Sequence, residues 1–264
     1  MEVSTSPLIF QEQPKLNNPR LVAAWGCIGG VGLQAVSYLR DKLEATEFAR
    51  IEPYDFFPAT ATVSDALVRL RFPENKFYYW RGQGKGDLII FTADAEPPQG
   101  RYRYAGLLLE VAGRFGVGTI YTVCAFPAPI THSGTPKVFG VASHADLVAQ
   151  MKRFGANPMG DRNLTSMNAL LLSIARERQM RSIYLLAEVP SYATKMVNPR
   201  SSKAVLEVLA PMLGVTVDMT EMGRLAAEAE EGLARRAQEA SWEFLDQFTI
   251  DYRQLLGGDE EQPE

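Results

Sequence analysis

The sequence is poor in the residues that most often build disulfide, metal and nucleic-acid sites. Two cysteines and two histidines occur among 264 residues, too few for a disulfide framework and a weak basis for a zinc site. The formal net charge is -4, so no general basic field exists to attract nucleic acid. We therefore expect a protein without structural disulfides, metal or other cofactor, and with no nucleic-acid partner.

Long apolar runs are also missing. No stretch approaches the roughly 20 apolar residues that a membrane helix needs. Glu2 and Glu12 lie where a signal peptide would require an apolar segment. The two cysteines suit a reducing compartment. These features together predict a cytoplasmic protein with no membrane partner.

Short apolar strands and amphipathic helices alternate along most of the chain. Four apolar runs are typical of buried central strands: residues 21–25, 87–92, 118–126 and 182–188. Four segments with helical periodicity accompany them: residues 31–45, 102–115, 164–178 and 201–213. This alternation predicts an α/β fold with a mainly parallel, mixed central sheet. Residues 67–72 and 76–81 are predicted as two strands around a turn, which adds an antiparallel element.

Changes in composition divide the chain into four segments. Residues 1–20 are polar and contain prolines, which predicts an arm on the surface or loosely ordered. Residues 21–218 carry the α/β pattern, residues 219–250 form a helical appendage, and the acidic residues 251–264 predict a disordered tail. The appendage has a narrow apolar stripe of Met222, Leu225, Ala229, Leu233, Ala237, Ala240, Phe244 and Phe248. Packing on its own domain is the default for such a stripe, and pairing with a second subunit is the alternative.

Four glycines connect the first apolar strand to the first helix: Gly26, Gly29, Gly30 and Gly32. Residues 30–35 fit the G-x-G-x-x-G/A pattern of dinucleotide sites, and Glu52 lies about 20 residues further on, where such sites place a ribose-binding acid. The pattern begins only after the detour of residues 26–29, however. A tight turn and close helix packing would need the same glycines. The sequence leaves both a phosphate site and a purely structural turn open.

Other candidate residues lie in loops that follow apolar strands, where ligands gather in open α/β sheets. Asp94 and Glu96 could do acid–base chemistry or hold magnesium, or could simply face solvent. His132 and Tyr192 lie in polar loops after later strands. Cys27 and Cys124 could face one crevice. A nucleophilic Cys27–His132 pair is conceivable, but two small buried hydrophobic residues are the simpler interpretation of the cysteines.

The order of these motifs resembles the proteasome assembly chaperone 2 family. LVAAWGCIGGVG is similar to the family's opening strand and glycine turn, and DLIIFTADAEPP to its central strand with an acidic-then-proline loop. Later segments follow the family's order: GVGTIYTVCAF, PKVFGVAS, MGDRNLTSMNALLLSIARERQMRSIYLLAEVPSY and NPRSSKAVLEVLAPMLGVTVD. The resemblance covers about residues 21–218. It implies a three-layer sandwich like the nucleoside phosphorylase/hydrolase fold, and binding of protein partners rather than an established reaction.

One feature departs from the family pattern. Archaeal relatives that dock on proteasome rings can carry a C-terminal hydrophobic–tyrosine–any tripeptide, whereas this sequence ends with Gln262-Pro263-Glu264.

Two functions from different classes are consistent with these observations. The first is a non-enzymatic, cytoplasmic protein of the assembly-chaperone type that forms homo-oligomers and binds a protein complex. The second is an enzyme or sensor for a nucleotide or nucleoside-like ligand, bound at the strand carboxyl ends. Its candidate binding residues are Gly26, Gly29, Gly30, Gly32, Asp94, Glu96, His132 and Tyr192. The sequence predicts no catalytic residue.

Overall fold

A mixed nine-stranded sheet with helices on both faces forms the fold. The computed structural model describes residues 6–82, 84 and 86–235. The strands in this part of the chain are β1 (Leu8–Phe10), β2 (Arg20–Trp25), β3 (Thr46–Ile51), β4 (Thr60–Ser64), β5 (Leu67–Arg71), β6 (Asn75–Trp80), β7 (Leu88–Ala93), β8 (Thr119–Ala128), β9 (Val138–Ala142), β10 (Asn157–Pro158) and β11 (Ser182–Pro190). Its helices are α1 (Val31–Lys42), α2 (Arg101–Arg114), α3 (Ala145–Arg153), α4 (Met167–Glu177), α5 (Pro199–Met212) and α6 (220–235). Short 3-10 turns cover Ile28–Gly30 and Ser191–Ala193.

The sheet order is β1-β3-β6-β7-β2-β8-β11-β9-β10. The four central strands β7, β2, β8 and β11 are parallel, while β6, β3 and β1 on one side pair in antiparallel fashion. On the other side β9 is antiparallel to β11, and β10 is parallel to β9. The predicted α/β class with a mixed central sheet is confirmed. The four apolar runs of the sequence are the four parallel strands, because only those strands are covered on both faces.

Two hydrophobic layers separate the sheet from its helices. In β2, Val22 and Ala24 face the layer of α1, α3, α5 and α6, whereas Leu21, Ala23 and Trp25 face that of α2 and α4. All five side chains have no exposed surface. This alternation follows from the two-residue period of a strand, and it makes the fold a three-layer sandwich. None of the helices within residues 6–235 that the structure describes is long and apolar enough to cross a membrane.

The N-terminal segment contributes a strand that the sequence analysis did not predict. Leu8–Phe10 pairs antiparallel with β3, with Leu8 opposite Ile51. Leu8 is buried, and the ring centroid of Phe10 lies 6.3 Å from that of Phe48. Three residues are too few to show a strand period in the sequence. The division of the chain into four segments stays a proposal.

The helix α6 packs on the α1 and α5 side of the molecule. Met222, Ala226 and Leu233 are buried, and Glu230 forms an ion pair with Arg200 of α5. Tyr38 of α1 donates a hydrogen bond of 2.7 Å to the Asp218 carbonyl just before α6. Met222 and Leu233 of the predicted stripe are thus buried against the rest of the chain. Ala237, Ala240, Phe244 and Phe248, like the predicted tail at residues 251–264, lie outside the described residues.

The predicted pairing of residues 67–72 with residues 76–81 is wrong. β5 pairs instead with β4, through a two-residue turn in which Asp65 and Ala66 have φ values of +53° and +61°. β6 is inserted between β3 and β7 of the main sheet. Glu74 anchors the start of β6, because its N–H donates to Asp94 Oδ2 at 2.9 Å and its carbonyl accepts the Asp94 N–H at 3.1 Å. We call the separate two-stranded sheet the β4–β5 ribbon.

Candidate functional site

The predicted site residues follow the carboxyl ends of the four parallel strands. Gly26 follows β2, Asp94 follows β7, His132 lies in the loop after β8, and Tyr192 lies in the 3-10 turn after β11. Parallel strands end at the same side of a sheet, so these loops share one edge of the molecule. We call this region the strand-end edge.

The backbone N–H groups of the glycine turn are used by the fold. Gly26 donates to the Ala93 carbonyl, Gly29 to the Thr194 carbonyl and Gly30 to the Cys27 carbonyl, each at 2.9 Å. Gly29 and Gly30 have φ values of +63° and +61°, a region that glycine enters without steric cost. A phosphate would therefore have to displace existing hydrogen bonds. Ligand binding by Gly26, Gly29, Gly30 and Gly32 stays a prediction.

Gly26 and Gly32 also lie against neighbouring backbone. A Cβ atom at Gly26 would be 2.0 Å from the Asp94 carbonyl oxygen, and one at Gly32 would be 2.3 Å from the Val123 carbonyl oxygen. Both distances are far below van der Waals contact. The close approach of β7 and β8 thus explains these two glycines without any ligand.

Glu52 is not placed as the acid of a dinucleotide fold would be. It follows β3, and β6 and β7 separate β3 from β2. Three strand spacings amount to about 14 Å, whereas the dinucleotide fold places the acid on the strand beside the glycine turn. Its carboxylate pairs instead with Arg50 at 2.8 Å.

The two predicted carboxylates have different partners. The Asp94 carboxylate accepts a hydrogen bond from the Glu74 N–H, and so fixes the start of β6. Glu96 Oε2 lies 3.0 Å from an Arg101 nitrogen, and the same nitrogen donates to the Thr165 carbonyl at 3.0 Å. Glu96 therefore helps to connect α2 with the loop before α4. No group of three or more metal-binding side chains lies together among the residues that the structure describes.

His132 and Tyr192 are brought together by the fold. The Tyr192 hydroxyl accepts the His132 N–H at 2.7 Å and lies 2.9 Å from His132 Nδ1. Tyr192 remains 60% exposed. Two further hydrogen bonds tie its loop to the glycine turn: Gly29 N–H to Thr194, and Asn198 N–H to the Gly29 carbonyl at 2.8 Å. The pair is an accessible polar feature at the strand-end edge.

Cys27 packs against the buried cluster that contains Cys124, and its thiol donates to the Ile28 carbonyl at 3.8 Å. A hydrogen bond from Cys124 lowers the pKa of the Cys27 thiol, burial opposes that effect, and the Gly32 and Ala125 N–H groups lower the pKa further. The same contact and burial raise the pKa of Cys124. Among the surrounding groups the carboxylate of Glu96 raises the Cys27 pKa. A thiolate at Cys27 is thus favoured over one at Cys124.

Two residues outside the sequence candidates complete this cluster. The Tyr184 hydroxyl lies 3.2 Å from Ser166 Oγ, and Ser166 also caps α4 by accepting the Ala169 N–H at 3.3 Å. Tyr184 lies in the buried cluster of Cys124, Ala169, Leu172 and Leu186. A serine directly before the apolar helical stripe that begins at Met167 is the available signal for Ser166. Tyr184 gives no signal apart from its place in an apolar strand.

The family model described as the PAC2 family matches residues 21–237. The chain belongs to the PAC2 family. This match extends from β2 through α6, and therefore includes the whole strand-end edge. The resemblance that the motif order indicated is confirmed.

Relatives of this PAC2 chain are found among archaeal proteins. An uncharacterized protein of Methanocaldococcus jannaschii is 24% identical over 217 residues, which are 82% of each chain. The crystal structure of Pyrococcus furiosus PbaB, described as an archaeal proteasome activator, is 28% identical with a TM-score of 0.75, over 87% of this chain and 98% of PbaB. Pyrococcus furiosus PbaA, described as an archaeal homolog of proteasome-assembly chaperone, shares the fold at 22% identity and a TM-score of 0.70, over 94% of this chain and 99% of PbaA.

Proposed function

We propose that this PAC2 chain is a non-enzymatic, cytoplasmic protein of the assembly-chaperone type, which self-associates and binds a protein complex. Its membership of the PAC2 family supports the chaperone type. The descriptions of PbaB as a proteasome activator and of PbaA as a homolog of proteasome-assembly chaperone point to the same class of partner.

The β4–β5 ribbon is the observation that carries self-association. Cross-strand pairing places Val63 opposite Val68 and Ala61 opposite Leu70 on one face. Val63, Val68 and Leu70 are 74%, 71% and 65% exposed. The other face carries mainly polar side chains: Thr60, Thr62, Ser64, Leu67, Arg69 and Arg71. The ribbon thus has one apolar face and one largely polar, basic face.

An uncovered apolar face of this kind needs a partner. A two-stranded sheet is marginally stable in water without packing against something else. Contiguous exposed apolar surface commonly marks a protein–protein interface. A second copy of the same chain is always present at the concentration of the protein itself, and its ribbon carries the same apolar face. We therefore assign this face to self-association.

The experiment compares two charge substitutions on opposite faces of the same ribbon. Val68→Asp puts a carboxylate on the apolar face, whereas Thr60→Asp, the matched control, puts one on the other face opposite Arg71. Analytical ultracentrifugation of the full chain should show an oligomer for the wild type and Thr60→Asp, and a shift toward monomer for Val68→Asp. A monomeric wild type at cellular concentrations, or equal association by all three proteins, would contradict self-association through the ribbon.

Binding to a protein complex is tested separately. The tagged wild-type chain should recover a defined complex of stoichiometric composition from its own cells, and recovery of only the chain itself would contradict the proposal. Thr60→Asp should recover the same complex as the wild type. This readout distinguishes a failure of complex binding from a failure of self-association.

Small-ligand binding at the strand-end edge is a second candidate, favoured by the accessible His132–Tyr192 pair. A nucleotide or nucleoside present at about 100 times its dissociation constant would stabilise the fold by roughly 2.7 kcal/mol. In a thermal-shift screen with nucleotides, nucleosides and phosphate, a compound that binds should then raise the melting temperature of the wild type. The rise should be smaller for Tyr192→Phe. The absence of a shift with every compound would reject this candidate.

A further inference from the structure

The only two cysteines of the sequence meet at the strand-end edge. Cys27 lies in the turn after β2, and Cys124 lies in β8, the parallel neighbour of β2, in which Val123 is opposite Ala24. Gly32 brings the first turn of α1 against this part of β8, since a Cβ atom there would lie 3.4 Å from Cys124 Cα. Hydrogen bonds of Gly26 and Gly30 hold the intervening turn. The backbone therefore keeps Cys27 packed against the buried cluster that contains Cys124.

The two thiols differ in access. Cys124 is only 5% exposed, within the apolar cluster that includes Tyr184 and Leu186. Cys27 packs against the same cluster but is half-buried, so part of its surface meets solvent. A small reagent can therefore reach Cys27 first, while Cys124 is shielded beneath it.

The surroundings favour a reactive sulfur at Cys27. Hydrogen bonds from the Cys124 thiol and from the N–H groups of Gly32 and Ala125 lower the pKa of Cys27, against the effects of burial and of Glu96. Donors of this kind stabilise a thiolate, which is the nucleophilic form of cysteine. The Cys27 thiol itself donates to the Ile28 carbonyl at 3.8 Å. Cys124 also interacts with the Tyr184 hydroxyl, which in turn reaches Ser166 at the start of α4.

We propose that Cys27 and Cys124 form an oxidisable dithiol, in which Cys27 reacts with a small hydroperoxide and Cys124 then closes an intramolecular disulfide. This modification is independent of the proposed chaperone function. It needs no other protein residue as a redox partner, because both sulfurs belong to the same cluster.

The chemistry balances in two steps. The Cys27 thiolate attacks the terminal oxygen of the hydroperoxide, a sulfur–oxygen bond forms, and the oxygen–oxygen bond breaks to release an alkoxide or hydroxide that takes up a proton. Cys124 sulfur then attacks the Cys27 sulfenic acid, a sulfur–sulfur bond forms, and the hydroxyl leaves as water with the Cys124 proton. Two thiols are oxidised by two electrons and one peroxide is reduced.

The test uses the full chain, fully reduced, with hydrogen peroxide as the probe. The wild type should lose the mass of two hydrogens, should keep no thiol that iodoacetamide can alkylate, and should remain a single chain on a non-reducing gel. Cys124→Ala should stop at the sulfenic acid, which dimedone traps at Cys27. In Cys27→Ser the remaining thiol should react about tenfold more slowly, since the thiolate fraction controls the rate.

A measurement on the wild type makes the test independent of how the variants fold. Substoichiometric iodoacetamide followed by peptide mapping should label Cys27 before Cys124. Equal labelling of the two cysteines, earlier labelling of Cys124, or peroxide products that are only intermolecular disulfides would overturn the proposal. A wild type that still has two alkylatable thiols after treatment with hydrogen peroxide would overturn it as well.

Discussion

Gly26 and Gly32 lie where two backbone segments come closer than a side chain would allow. Gly30, in the same turn, has open space around the position of a Cβ atom but a left-handed φ of +61°. One short segment thus uses glycine for two different physical reasons. Steric exclusion applies at Gly26 and Gly32, and backbone conformation applies at Gly30.

These two reasons predict different costs of substitution. Gly32→Ala should lower the free energy of unfolding by about 2 to 3 kcal/mol, because its Cβ atom would push α1 away from β8. Gly30→Ala should cost only about 1 kcal/mol, the strain of a left-handed non-glycine residue. Urea unfolding of both variants measures the difference. Equal costs would mean that the close packing of α1 on β8 is not a constraint.

The thiol of Cys27 leads to a prediction about pH. Its pKa is lowered by the hydrogen bond from Cys124 and by two backbone N–H groups, against the effects of burial and Glu96. Alkylation proceeds through the thiolate, so its rate rises as the pH passes the pKa. The midpoint for Cys27 should therefore lie below that of an ordinary cysteine.

Cys124→Ala removes the main donor to the thiolate while Cys27 stays in place. The midpoint of the alkylation profile should then move to higher pH, toward the ordinary value. Glu96→Gln should move it in the opposite direction, because the negative charge that disfavours the thiolate is lost. A profile that is unchanged in both variants would show that neither group contacts Cys27 in solution.

Unlike the central strands of the main sheet, the β4–β5 ribbon has no layer of helices over it. All of its residues are exposed except Thr62, and its turn places two non-glycine residues, Asp65 and Ala66, at positive φ. A two-residue turn of this kind matches the twist of the strands, and glycine is the residue that favours it most. The hydrogen bonds between β4 and β5 are therefore the main interactions that hold the ribbon.

Ala66→Gly should stabilise the ribbon by about 1 kcal/mol, because it relieves the strain of a left-handed alanine. Amide hydrogen exchange of residues 60–71 measures this local effect directly. The matched control is Ala61→Gly, which lies within β4 and should accelerate exchange since glycine weakens a strand interior. Faster exchange in Ala66→Gly would show that the turn is not strained.

At the scale of the whole molecule, the region proposed for thiol oxidation and the region proposed for self-association are formed by different segments of the chain. The strand-end edge is formed by loops after β2, β7, β8 and β11, whereas the ribbon is inserted between β3 and β6. The ribbon's apolar face is proposed to meet a second chain. The thiol pair, by contrast, lies within one chain, with Cys124 buried and Cys27 half-buried. Oxidation and self-association can therefore be measured independently.

Self-association should couple stability to concentration. If only the folded chain associates, the melting temperature of the wild type should rise as protein concentration increases, by mass action. Val68→Asp should have a melting temperature that depends less on concentration, and Thr60→Asp should behave like the wild type. Differential scanning calorimetry over a hundredfold range of concentration measures this, and identical slopes for the three proteins would contradict it.

The sequence by itself determined the fold class, the four parallel strands and the helices α1, α2, α4 and α5. Its apolar runs and helical periods reflect burial of neighbouring residues, a property that each segment carries locally. The order of the same motifs also indicated the family. The sequence likewise placed the predicted polar residues after strands, which is enough to bring His132 and Tyr192 to one edge.

The tertiary structure alone decided which segments become neighbours. It paired β5 with β4 rather than β6, separated Glu52 from the glycine turn by two strands, and engaged the N–H groups of Gly29 and Gly30 within the fold. It also packed Cys27 against the cluster that contains Cys124, while His132 contacts Tyr192. Strand pairing and hydrogen bonding between distant segments depend on the packing of the whole chain, and no local pattern of residues encodes them.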